Sequence, residues 1–159
     1  MSIDPIAAIH EGGHAVVAAC AGYDIREVVL HPIGSRPDEA GHCLLQSDWE
    51  AELRADPIGF LVYLFSGGSA EKRGCGSTSA RGAQDVETAA FIAAEIIHDG
   101  ADANSARVQG TLRAAAAIAD SRMAIPGTWR AVQRVADALR RRRRLTGRDV
   151  QLLLREAQR

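Results

Sequence analysis

The segment from Asp4 to Gly22 limits the fold more than any other part of this sequence. Asp4 followed by Pro5 is a favourable helix start, and Gly22 is a favourable helix stop. Between Pro5 and Gly22 the residues are Ile, Ala, Val, Cys and Gly apart from three polar side chains. A helix that is apolar all round belongs in a protein interior. The sequence therefore predicts a buried helix within one hydrophobic core.

The three polar side chains of this helix are those of His10, Glu11 and His14. Histidines four residues apart project from one face of a helix, so both imidazoles can bind one ion. Glu11 follows on the same turn, beside the position where such an ion would hold a water. A buried carboxylate with two buried imidazoles is costly unless all three are satisfied, and a shared metal satisfies them together. We therefore predict a zinc site with His10 and His14 as ligands and Glu11 as general base; hydrogen-bonded core histidines are the alternative.

Two glycines, Gly12 and Gly13, lie in the middle of the same helix. Each costs ~1 kcal/mol relative to alanine in a helix interior. Close approach of another backbone, or of substrate, would explain their presence.

A third metal ligand must come from outside this helix, because catalytic zinc has three protein ligands and one open position. A third histidine six residues after His14 is excluded, since that residue is Cys20. Asp85 and Glu87 are favoured because both lie near the start of a predicted helix that follows a glycine-rich stretch. The residues alone do not decide between them. The full set of candidate carboxylates is Glu27, Glu39, Glu71, Asp85, Glu87 and Glu95.

The rest of the chain predicts a mainly α (α+β) fold, with helices and a small antiparallel β-hairpin. Strands are predicted at 26–33 and 41–46, joined by a turn rich in Gly, Pro, Ser and Asp. A helix is predicted from Trp49 to Phe65, entered or kinked at Asp56-Pro57. A mobile loop is predicted from Ser66 to Gly82. Further helices are predicted at 84–99, 104–123, 128–143 and 146–157, with Thr128 and Thr146 as caps and Asp149 completing the second cap.

The length favours one domain over residues 1–159, in which the motifs place a zinc-binding catalytic part at 1–100 and the helical pattern a C-terminal part at 101–159. Apolar residues make up 47% and the net charge is −1, which gives no reason to expect nucleic acid as a partner. No apolar stretch reaches the ~18 residues that cross a bilayer, and no secretory signal is evident. We expect a cytoplasmic protein without a membrane segment. The only lysine, Lys72, follows a glutamate, which excludes a Walker A site for ATP.

Several other polar residues carry weaker signals. The run from Arg140 to Arg144 is typical of a solvated last helical turn, and a nucleic-acid patch is the alternative. His31, His42 and His98 are given no catalytic role, and His98 is expected at a helix C-terminus. Glu87, if it is not a ligand, could orient a liganding imidazole or face solvent.

Three segments together closely resemble the peptidase domain of the FtsH family of ATP-dependent zinc proteases. They are Ala8–Ala18 with its His-Glu-Gly-Gly-His, the pair Gly67-Gly68, and Gly82–Ala89. The resemblance implies that Asp85 is the third zinc ligand. It also implies a mostly helical peptidase domain that digests unfolded or loosely folded polypeptide. A substrate strand would lie along the sheet edge formed by residues 41–46.

The sequence also departs from that family. The ATPase module and membrane anchor that family members carry upstream are not in this sequence, so we expect either a separate ATPase or adaptor as partner, or substrates that are already accessible. A ring-shaped homo-oligomer is an option that the resemblance implies. Ser69-Ala70-Glu71-Lys72-Arg73 replaces arginine-alanine-alanine-glutamate-glutamate, so no orienting role is assigned to Glu71. The alternative functions are a non-catalytic adaptor or binding module and, third, an arginine-rich nucleic-acid-binding regulator.

Overall fold

The computed structural model describes residues 4–34, 40–46 and 48–159. These residues form a mainly helical fold with a small antiparallel sheet, which confirms the predicted fold class. The candidate ligand Glu39 and most of the predicted turn lie outside the described residues. The elements are α1 (Pro5–Ala21), β1 (Ile25–Leu30), β2 (Gly41–Leu45), α2 (Trp49–Ala55), α3 (Pro57–Cys75), α4 (Ala80–Phe91), a π-helix (Ile92–Ile97), α5 (Ala106–Ala124), α6 (Pro126–Arg142), β3 (Arg144–Thr146) and α7 (Gly147–Ala157).

Helix α1 is the centre of the fold. The Asp4 side chain accepts a hydrogen bond from the Ile6 amide at 2.9 Å, and Gly22 ends the helix in the left-handed conformation with φ 81°. Every residue from Ala7 to Ala19 is buried. The predicted buried helix and both of its ends are therefore confirmed.

The two glycines of α1 face two different helices. A Cβ on Gly13 would lie 2.5 Å from the carbonyl oxygen of Ser66 in α3. A Cβ on Gly12 would lie 3.1 Å from the carbonyl oxygen of Val132 in α6. The predicted close approach of other backbones is confirmed, because α3 and α6 pack on α1 at the glycines.

The sheet has the strand order β2-β1-β3, and both pairings are antiparallel. Val28 of β1 lies opposite Cys43 of β2 and opposite Leu145 of β3. The predicted hairpin is confirmed, whereas β3 was not predicted. Its position leaves β2 at one edge of the sheet, beside α1.

The predicted loop from Ser66 to Gly82 is wrong, because α3 continues to Cys75. Residues 66–71 are buried, so the glycines there allow close packing and do not form a turn. Only the segment from Gly76 to Ser79 separates α3 from α4.

The other predicted helices are present with shifted ends. The break at Asp56 and Pro57 separates α2 from α3, and Asp56 caps α3 by accepting from the Gly59 amide. The predicted Thr128 cap is wrong, because α6 already begins at Pro126, a residue preorganised for the first helical position. Thr146 caps α7 and forms a capping box with Asp149, as predicted. Among the residues that the structure describes, no helix is long and apolar enough to cross a membrane.

Candidate metal centre

Three side chains from α1 and α4 meet in a triangle. The Nε2 atoms of His10 and His14 are 3.0 Å apart, and each is 3.2 Å from Oδ2 of Asp85. Tetrahedral ligands at ~2.0–2.1 Å from zinc lie about 3.3 Å from one another. The triangle is therefore the right size to hold such an ion. Within the described ranges, these residues form the one group of three or more potential ligands that could share a metal.

Asp85, and not Glu87, is the carboxylate that faces the two histidines. Glu87 is exposed, as is Glu95 farther along the chain. Glu27 lies on β1, where it forms ion pairs with Arg144 and, at 3.6 Å, with His42. Of the two favoured candidates, the structure brings Asp85 to the site and leaves Glu87 outside it.

Each histidine is held through its other ring nitrogen. His10 Nδ1 donates to Oε1 of Glu71 at 2.8 Å, and His14 Nδ1 donates to the carbonyl oxygen of Tyr63 at 2.9 Å. With Nδ1 held as the donor, the Nε2 atom is the one that loses its proton to a metal and presents a lone pair towards the triangle. The Nδ1 partners thus orient both imidazoles with Nε2 towards the position of a metal.

Glu71 was predicted only as one of six candidate ligands, but it lies outside the triangle and contacts the other ring nitrogen of His10. Its side chain is fully buried, and besides His10 it accepts hydrogen bonds from the amide and the hydroxyl of Ser79, the latter at 2.7 Å. Ser79 is also the N-cap of α4. The orienting role considered for Glu87 belongs to Glu71. A predicted helix over residues 66–75 would have indicated this role, because Glu71 then lies on the same helix face as Gly67, one turn later.

Gly67 lets the backbone of α3 pass directly over the ligand rings. A Cβ at this position would lie 2.5 Å from Nε2 of His14 and 2.6 Å from Cε1 of His10. Any side chain here would collide with the two imidazoles. Glycine is therefore required at position 67 for the two imidazoles to lie where they do.

The electrostatics of the site favour a cation. Burial raises the pKa of Asp85, but hydrogen bonds and positive charge from the two histidines outweigh burial and lower it to about 2. Burial lowers the pKa of His10, but hydrogen bonds to Asp85 and Glu71 outweigh it and raise the value to about 9. Burial is the main cause of a raised pKa at Glu11. Three carboxyl groups thus surround two imidazoles, an arrangement that a metal ion would neutralise.

Glu11 lies in the same cleft as the three ligands. The cleft has a volume of about 430 Å³ and is also lined by Gly41 and Cys43 of β2. Glu11 is 3% exposed, and a Cβ on Gly41 would come within 3.0 Å of its Cγ. The carboxylate is therefore held between α1 and the edge strand, with the cleft open in front of it.

The weaker sequence signals lie away from the triangle. His42 lines the cleft, and its ring centroid is 5.4 Å from that of His31. His98 follows the π-helix, as expected for a helix C-terminus, and its Nε2 is 2.8 Å from Oγ1 of Thr111. Arg140 to Arg142 form the exposed last turn of α6, which agrees with the solvated interpretation.

The sequence matches no protein-family model and no curated protein. The resemblance to the FtsH peptidase domain accordingly stays a prediction from the motifs.

Proposed function

We propose that this chain is a zinc-dependent endopeptidase that hydrolyses peptide bonds in unfolded or flexible polypeptides. The observation that supports it most is the triangle of His10, His14 and Asp85 with buried Glu11 in the same cleft. Two imidazoles and one carboxylate are a donor set typical of catalytic zinc with an open position. Bound zinc supplies a Lewis acid that acidifies a water and polarises a carbonyl group.

Glu11 has the properties of a general base. Its raised pKa brings the carboxyl group closer to neutral pH, where it can both accept and return a proton. It takes the proton of the attacking water and passes it to the leaving amine. Glu71 and the Tyr63 carbonyl group hold the ligand rings so that the geometry persists through the reaction.

The edge strand β2 suits an extended substrate. An edge strand has backbone groups on its outer side that can pair with another strand, and Gly41 and Cys43 line the cleft. Only a flexible polypeptide can add to such an edge, so the proposed substrates are unfolded or loosely folded. A separate ATPase or adaptor would deliver folded ones. A reducing, cytoplasmic setting suits the three free cysteines Cys20, Cys43 and Cys75.

The test is a cleavage assay on an unfolded protein such as casein, combined with metal analysis. Glu11→Gln should keep one zinc per chain and lose cleavage, whereas the exposed control Glu87→Gln should keep both. Cleavage by Glu11→Gln would remove Glu11 as the base. Zinc binding without cleavage by the unmodified chain would instead support the non-catalytic binding module.

A further inference from the structure

The few aromatic residues of this chain are concentrated next to the cleft. The sequence has seven Phe, Trp and Tyr residues in total (2 Trp, 2 Tyr, 3 Phe). Four of them form one cluster. The ring of Phe60 is 6.2 Å from that of Trp49 and 5.6 Å from that of Tyr63, and Tyr23 packs against Phe60 and Tyr63 at 6.4 and 6.0 Å. Most of the aromatic residues of this chain therefore lie at one place.

The cluster has one ring in the cleft and one at the surface, joined by buried rings. Tyr63 lines the cleft, and its hydroxyl donates to the carbonyl oxygen of Cys43 in β2 at 3.1 Å. Phe60 is buried at 4% exposure, whereas Trp49 at the other end is 46% exposed. Trp49 is the first residue of α2, four positions after β2 ends at Leu45. Trp49 is therefore the one ring of the cluster that is exposed to a ligand extending beyond the end of the edge strand, and the three buried rings support it from behind.

The surroundings of Trp49 are acidic. Residues 48–56 contain Asp48, Glu50, Glu52 and Asp56 against a single Arg54, which gives four negative charges and one positive charge. Arg54 is itself paired with Glu50 at 2.6 Å. The negative charges also act on the cluster. The pKa of Tyr23 is raised to about 12, first by burial and next by the negative charges of Asp56 and Glu52. A ligand with positive charge beside an apolar side chain fits this combination.

We propose that Trp49 and the acidic residues of segment 48–56 form an extended subsite, the Trp49 subsite, for an apolar side chain flanked by lysine or arginine in the polypeptide that occupies the cleft. The inference rests on the proposed function and narrows its substrate class. The apolar side chain of such a segment would contact the indole ring. Its lysine or arginine would be attracted to the face of the indole and to the carboxylates. The subsite lies outside the metal centre, so it contributes to binding and not to the chemical step.

Binding is tested by the fluorescence of Trp49. Trp129→Phe leaves Trp49 as the only indole, and Trp129 lies elsewhere, with the Arg73 guanidinium 5.1 Å from its ring. The probe is a short unstructured peptide with phenylalanine between lysines, compared with versions in which serine replaces phenylalanine or glutamate replaces lysine. We expect a saturable change in Trp49 emission, with binding at least ~10-fold weaker for both altered peptides. Unchanged emission with the first peptide, or equal binding of all three, would overturn the inference.

Kinetics of casein cleavage separate binding from chemistry. Trp49→Ala should raise KM about 10-fold with kcat unchanged, because the lost contact stabilises substrate and transition state equally. Trp49→Phe should restore most of the affinity. Such a recovery would show that Trp49→Ala loses affinity through the missing ring and not through unfolding. An unchanged KM in Trp49→Ala contradicts the subsite. If the unmodified chain cleaves nothing but Trp49 emission still responds selectively to the peptide, the proposed function fails and the subsite stands.

Discussion

Replacing Gly67 with alanine should destroy the metal site while leaving the protein folded. The new Cβ would lie 2.5 Å from Nε2 of His14 and 2.6 Å from Cε1 of His10. Favourable contacts between such heavy atoms are found at ~3.5 Å or more, so the rings and α3 must separate by about 1 Å. Metal sites tolerate distance errors of only ~0.2 Å. We expect zinc affinity to fall at least ~100-fold, at or beyond the upper end of the loss from mutating an orienting partner.

The same substitution should change stability much less than it changes metal binding. Overpacking of a core costs ~1–3 kcal/mol. Alanine is favoured over glycine in a helix interior by ~1 kcal/mol, and Gly67 lies in the middle of α3. The net loss in the free energy of unfolding is therefore about 0–2 kcal/mol. The protein should remain folded at room temperature, so that its metal affinity can be measured.

The assay is chelator competition for zinc, with thermal unfolding of the metal-free protein beside it. Gly110→Ala is the matched control, because Gly110 is also inside a helix and a Cβ there would meet no atom within 4 Å. The control should bind zinc normally and be as stable as the unmodified protein or more so. Normal zinc affinity in Gly67→Ala would refute the steric reasoning and the position of α3 over the ligands.

Two further predictions concern the groups around His10. Glu71→Gln retains the size of the side chain but loses its charge, so zinc affinity should fall about 10- to 100-fold in a chelator titration; an unchanged affinity would show that Glu71 does not orient His10. In chelator-treated protein, the raised His10 pKa stabilises the fold fully below pH ~6.5 and loses this effect as the pH rises through about 9. Urea unfolding should therefore show a loss of up to about 3 kcal/mol over that range, which His10→Gln should abolish; equal pH profiles for both proteins would contradict it.

Features set by neighbouring residues were predictable from the sequence. Helix α1 combines an Asp-Pro start, a glycine stop and an apolar surface on all sides, and each signal acts within a few residues. The same holds for the capping box of Thr146 and Asp149. The spacing of His10 and His14 places both rings on one face whatever packs against them. Local sequence signals therefore predicted the part of the site that α1 contributes.

Features set by distant partners were not predictable in the same way. Gly67 and Gly68 have the composition of a loop, and only the imidazoles under Gly67 show that the glycine is needed for clearance in a helix. Strand β3 has three residues, too few for any periodic pattern, and exists because it pairs with β1. Glu71 gains its role from His10, which is 61 residues earlier in the chain. In each case the decisive contact joins segments that are far apart in sequence.

The hydrogen bonds of Glu71 explain how two motifs that are distant in sequence form one site. One carboxylate binds His10 of α1 and both the amide and the hydroxyl of Ser79, the residue that caps α4. The start of the helix that carries Asp85 is thereby fixed relative to the first ligand. Arg81 adds a second tie from α4 to α1 through its ion pair with Asp4 at 2.7 Å. Because these contacts do not involve the ligand atoms Nε2 and Oδ2, protein packing alone can hold the triangle together, which is the preorganisation that a catalytic site requires.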